Sequence, residues 1–152
     1  LKDPVIGIRR LSGMKLLPTW IFKARLWGTA YLFWFAVLFV LSSFSMNKKT
    51  VDLPTYSDKV AHFAYFACGS FALAFWLWLK FPQQRKLVAA TLVIVAAAAV
   101  GLFDEWHQTF TVGRSGLDLG DWIADVCGGV AGWIAALTIR KRLPIAGRAL
   151  SA

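Results

Sequence analysis

The sequence predicts an all-α membrane protein, a bundle of four transmembrane helices with both termini in the cytoplasm. Three observations predict it. Of the 152 residues, 58% are hydrophobic; four apolar segments reach the roughly 17 to 25 residues that cross a bilayer; and the charges divide sharply between the two sets of connections. Backbone N–H and C=O groups find no partner in lipid, so each spanning segment must bond its own, as a helix does.

Residues 1–25 form a basic arm. Arg and Lys alternate there with Leu11, Leu16, Leu17, Ile21 and Phe22, and Pro18 interrupts them, which suits either a segment lying on the anionic inner membrane surface or a disordered arm. The first span, Leu26 to Met46, carries no charge. It is too long for a signal-peptide core of roughly 7 to 15 residues and reads as an anchor. The second, Val60 to Leu79, contains only His62 as a chargeable side chain. Leu87 to Phe103 is rich in Ala and Val, with a small-residue stretch at Ala96 to Ala99 suited to close helix contact. Trp122 to Ile139 holds one acid, Asp125. These last two are short for a span, and extension into their flanks is expected. The membrane domain thus covers 26–139, and 140–152 form a basic tail. Cys68 and Cys127 both fall inside apolar segments. They offer neither a redox motif nor a zinc spacing and read as small packing residues.

A net charge of +9 suggests nucleic acid only when the basic residues share one accessible surface. Here they flank apolar segments, so nucleic acid is excluded and topology explains them. Thirteen of the 17 Lys and Arg residues lie before the first span, between the second and third, or in the tail. Seven of the eight acids lie in the other connections or at the ends of spans that adjoin them: Asp52, Asp58, Asp104, Glu105, Asp118, Asp121 and Asp125. The positive-inside rule therefore turns the acidic cluster outward.

That cluster comes in three blocks. Asp58, His62 and Tyr65 follow at i, i+4 and i+7 on one helix face; Asp58 is either a helix N-cap with a nearby histidine or half of a functional pair. At the end of the third span come Asp104, Glu105, Trp106, His107 and Gln108. A continued helix sets Asp104 and Gln108 on one face and turns Trp106 to the interface. Adjacent carboxylates at that depth must be paired or wet. After Gly113 and Arg114, Asp118 or Asp121 can cap the fourth helix, while Asp121, Asp125, Gly128 and Gly132 form one stripe. The glycines allow a neighbouring helix close, holding both aspartates against the bundle interior. Arg114 either pairs with these acids or clamps an anionic ligand bidentately.

These residues resemble the VanZ-like membrane protein family. The likeness rests on Asp58, Lys59, His62 and Tyr65; on Asp104, Glu105, His107, Gln108 and Phe110; and on Gly113, Arg114, Asp118, Asp121 and Asp125 with Gly128, Gly129 and Gly132. It covers about residues 26 to 139. The resemblance implies a four-helix domain in the bacterial cytoplasmic membrane and a link to resistance against the glycopeptide teicoplanin, without implying a reaction.

Two functions fit. In the first, the outward site binds or modifies an envelope ligand such as a lipid-linked glycan or peptidoglycan precursor. Asp58 and His62 then make a general-base pair, Asp104, Glu105 and Asp121 perturb one another's ionisation, and Tyr65, His107, Gln108, Arg114, Asp118 and Asp125 bind. Carboxylates with His62 and His107 also suit a divalent ion, although no motif specifies a metal or other cofactor. In the second, the protein is non-catalytic and binds the glycopeptide or an assembly partner. A proton pathway ranks last, since the half of the bundle marked by Lys80 supplies no acid within its spans. Membrane lipids are partners under each reading. The charge asymmetry makes a direct prediction: a cysteine placed at Ser115 reacts with an impermeant thiol reagent in intact cells and one at Gln84 does not. Reversed labelling would put the acidic cluster in the cytoplasm.

Overall fold

A computed structural model describes residues 19–44 and 56–142. It is all-helical. A 3-10 turn at Thr19–Phe22 precedes α1 (Ala24–Ser42), α2 (Ser57–Lys80), α3 (Lys86–Gln108) and α4 (Leu119–Arg142). All four are long and apolar enough to cross a membrane; at about 1.5 Å per residue the shortest, α1, rises close to the roughly 30 Å of a hydrocarbon core. The expected extension of the third and fourth spans is present, running to Gln108 and back to Leu119. Residues 1–18 of the proposed arm (1–25), all but the first three residues of the basic tail (143–152 of 140–152) and the connection bearing Lys48, Lys49 and Asp52 lie outside the described residues.

Lipid is as apolar as leucine, so these helices cannot associate by escaping water; close packing and polar contacts must join them. The outer surface reflects this, with Leu32, Phe33, Leu87 and Leu102 all exposed. The tightest contact joins α2 and α4. Gly128 and Gly132 lie against the backbone carbonyls of Phe63 and Ala67, where a Cβ would collide with the oxygen. Further along α4, Gly129 faces Ala97 of α3. Helix α1 packs on α2 by the same device with the roles exchanged: Gly69 accepts the indole of Trp34. That indole also donates to the Tyr65 carbonyl at 2.9 Å, and the Tyr65 hydroxyl returns a bond to the Trp34 carbonyl at 2.8 Å.

Below this level the core carries no charged side chain and is built from Leu73, Phe75, Leu77, Trp78, Val93 and Trp133. Arg140 ends it with its guanidinium 4.7 Å from the Trp78 ring centroid. The alternating course of the helices gathers the C-terminal ends of α1 and α3 and the N-terminal ends of α2 and α4 at the opposite pole, which holds the polar blocks.

One expectation needs correction. Cys68 and Cys127 are exposed on the outside of the bundle, because the buried face of α2 runs through Phe66, Gly69, Ser70 and Leu73 and that of α4 through Asp125, Gly128 and Gly132. They do not pack the interior.

The glycine contact makes a testable claim. Gly132→Leu forces the carbonyl of Ala67 and the backbone of Phe71 away and costs on the order of 1 to 3 kcal/mol, as overpacking does. Val130→Leu, on the exposed side, stays within about 0.5 kcal/mol of the parent. Thermal unfolding in one detergent compares them.

Candidate functional site

At the polar pole, side chains from all four helices meet. Asp104 is 2% exposed. Its Oδ1 accepts a hydrogen bond from the Ser42 hydroxyl of α1, and its Oδ2 accepts one from Gln108 Nε2 at 2.8 Å. Gln108 Oε1 in turn accepts from Arg114 Nη1 at 3.0 Å. This chain of donors leads from the loop surface to a buried carboxylate. The Thr111 hydroxyl adds a bond to the Ser42 carbonyl at 2.9 Å, tying the α3–α4 loop to α1.

A second set joins α2 to α4. Lys59 Nζ reaches Asp121 at 2.8 Å and Asp118 at 3.3 Å. His62 Nδ1 lies 2.9 Å from Asp125 Oδ1, with Asp125 fully buried. The room for Asp125 comes from Gly101, where any side chain would strike its carboxylate. Asp125 is six residues into α4, about 9 Å along its axis, so this pair sits well inside the helix ends.

Glu105, also 2% exposed, organises the loop. Its Oε2 accepts the Asp118 N–H at 2.6 Å and its main-chain carbonyl accepts the Leu117 N–H at 3.3 Å. Leu117 has φ of 52°, a left-handed conformation that a leucine holds only when its surroundings impose it. The two bonds from Glu105 impose it. The next residue, Asp118, then stands before the first turn of α4, and its Oδ1 accepts the N–H groups of Gly120 at 2.7 Å and Asp121 at 3.3 Å. Of the two candidate caps, Asp118 is the one used.

Several sequence assignments change in detail. His62 makes its hydrogen bond with Asp125, across the helix interface, and not within an isolated Asp58–His62 pair. Asp58 lies half-buried in the first turn of α2, whose N-cap position is Tyr56, so it is not the cap. Tyr65 spends its hydroxyl on Trp34. His107 turns away from the cluster, its ring stacked 4.3 Å from Phe39 and parallel to Phe103; adjacent positions on a helix diverge by about 100°. Asp104, Glu105, Gln108, Arg114, Asp118, Asp121, Asp125 and His62 do converge. Sequence reasoning passed over Ser42 and Gly101 as working parts and gave Lys59 no task beyond the family likeness. Their signals were slight: a hydroxyl at the end of a span, a cation beside Asp58, and a glycine one turn before Asp104.

Two buried carboxylate oxygens have no hydrogen-bond partner among the described residues, Glu105 Oε1 and Asp125 Oδ2. Among the described residues, neither Asp104 nor Glu105 has a cation within ion-pairing distance. The site therefore holds more acceptor capacity and more acid than the described residues satisfy. A wide groove of about 590 Å³ at the opposite pole, lined by Leu77, Lys80, Phe81, Gln84 and Leu92, has no acid in its lining.

The backbone N–H groups of Gly120 and Asp121, together with Lys59, hold the Asp118 carboxyl below its ordinary range. A lowered folded-state pKa contributes stability that is present above the unfolded value, near 4, and lost as pH falls through the folded value. Asp118→Ala should cost about 1 kcal/mol at neutral pH, as losing a cap does. The gap between variant and parent should narrow when unfolding is measured at progressively lower pH below about 4.

Comparisons with curated proteins and with solved structures found no match. The profile of the VanZ/LLP1 family matches residues 19–140, which takes in all four helices except the last two residues of α4 and every residue of the polar pole. This multi-span membrane protein belongs to the VanZ/LLP1 family.

Proposed function

We propose that the protein lies in the bacterial cytoplasmic membrane with its polar pole outward, where it binds or modifies an envelope ligand such as a lipid-linked glycan or peptidoglycan precursor. The observation that carries this reading is the pair of unsatisfied, fully buried oxygens on Glu105 and Asp125. Unpaired carboxylate oxygens inside a membrane bundle are expensive, and where they persist they serve a ligand or a reaction. With its proton on Nδ1, His62 donates to Asp125 and keeps Nε2 available as a base oriented by that carboxylate. Arg114 supports an anionic head group. It gives one N–H to Gln108, and the remaining donors of its fork have no partner among the described residues. The orientation follows from the charge asymmetry of the connections.

The second reading, a non-catalytic factor that binds a glycopeptide or an assembly partner, is favoured by a different observation. Ser42, Asp104, Gln108 and Arg114 form a continuous fastening across α1, α3 and the loop. Bonds of this kind between membrane helices contribute about 0.6 kcal/mol each on average. A cluster made only of fasteners would hold a recognition surface in shape.

His62→Gln separates the two. Glutamine keeps bulk and hydrogen bonding but removes the titratable base. For a catalytic site, His62→Gln leaves folded protein at parental levels and abolishes the envelope phenotype, with rates lower by about 10² to 10⁴. For a lock, function follows the amount of folded protein in His62→Gln and Gly132→Leu alike. Both quantities are measured in the same membranes. A stable and fully active His62→Gln protein removes His62 as an essential base.

A further inference from the structure

We propose that His62, Asp104 and Glu105 form a binding site for one divalent transition-metal cation, buried at the polar pole between α2 and α3. One ligand atom from each of the three lies within 4.8 Å of the other two. Bonds of about 2.0 to 2.2 Å from nitrogen and carboxylate oxygen place ligand atoms roughly 3.5 Å apart around an ion, so small rotamer adjustments close the site.

Charge points the same way. Asp104 and Glu105 are adjacent in sequence and each 2% exposed. Among the described residues the nearby cations serve other groups: Lys59 bridges Asp118 and Asp121, and Arg114 reaches Gln108. Two buried carboxylates in lipid demand a counter-charge or protons. Glu105 Oε1 is independent evidence of a missing partner. It is fully buried and accepts nothing among the described residues, whereas the Oε2 of the same group is occupied by the Asp118 N–H.

The histidine is prepared for the role. Nδ1 faces Asp125 at 2.9 Å, so Nε2 is the nitrogen left for an ion. A carboxylate that fixes the tautomer and ring orientation of a ligating histidine is the usual supporting arrangement in metal sites. On this assignment Nε2 holds the ion in place of a proton, so in the loaded protein His62 is a ligand, and it can act as a base only in the metal-free protein. One imidazole with two carboxylates suits Zn²⁺ or Mn²⁺ better than Mg²⁺ or Ca²⁺, which take oxygen alone. Three protein ligands leave a coordination position open. This inference stands apart from the identity of any envelope ligand, since the ion is held by the protein's own groups.

The test uses the full chain, without a polyhistidine tag, purified in detergent and stripped with a chelator. It is titrated with Zn²⁺ and, separately, Mn²⁺ by calorimetry, and its thermal unfolding is followed with each ion. The expected result is uptake of one ion per chain for at least one of the two, with a raised unfolding temperature. Asp104→Asn and Glu105→Gln abolish that uptake, and Asp125→Asn weakens it about 10- to 100-fold. His107→Gln, in the Phe39 and Phe103 stack, binds as the parent does. A stripped parent chain that is helical and monodisperse yet takes up neither ion overturns the site, whatever the variants do. So does a folded Asp104→Asn, Glu105→Gln double variant that binds as tightly as the parent.

Discussion

The polar pole depends on how closely α2 and α4 approach. Gly128 and Gly132 let the backbones of these helices touch at Phe63 and Ala67, and only at that separation can His62 reach Asp125 from the neighbouring helix. A methyl group at either glycine would push the helices apart and open a gap between imidazole and carboxylate. Small residues within the membrane thus set the geometry of charged residues nearer its surface. Gly101 extends the same logic to α3 by making a recess for the Asp125 carboxylate.

From this contact the remaining arrangement follows by satisfaction of polar groups. Asp125 is matched by His62 and Asp121 by Lys59, both across the α2–α4 seam. Asp104 draws in α1 through Ser42 and the loop through Gln108 and Arg114. Glu105 fixes the loop at Leu117 and Asp118, which in turn caps α4. Each acid has a different task, and together they join parts of the chain that apolar packing alone would leave free to slide.

The fold was legible because lipid imposes few solutions: apolar length and the ban on unpaired backbone groups leave little besides four helices. The convergence of Asp104, Gln108, Arg114, Asp118, Asp121 and Asp125 was legible for a related reason, since a short α3–α4 loop must bring those helix ends together. Partnerships were less so. Helical spacing put Asp58 one turn from His62, but it cannot report which acid a neighbouring helix supplies, and that acid is Asp125. Periodicity likewise grouped Tyr65 with the site, although stacking on Trp34 and the reciprocal bond to its backbone make it an α1–α2 fastener. His107 was grouped by proximity in sequence, while the turn of the helix carries it onto Phe39. Interhelical rotation decides such questions, and a single sequence carries little of it.

The placement of Asp125 on the last helix bears on biogenesis. The ribosome delivers α1, α2 and α3 first, so His62, Asp104 and Glu105 enter the bilayer before the residues that pair with His62 and occupy Glu105 have been made. Until α4 arrives, Asp104 has Ser42 and Gln108, but His62 lacks the Asp125 carboxylate and Glu105 lacks the Asp118 N–H. Chains cut short before residue 118 lack both partners, so they carry the acids of the polar pole without the groups that complete it.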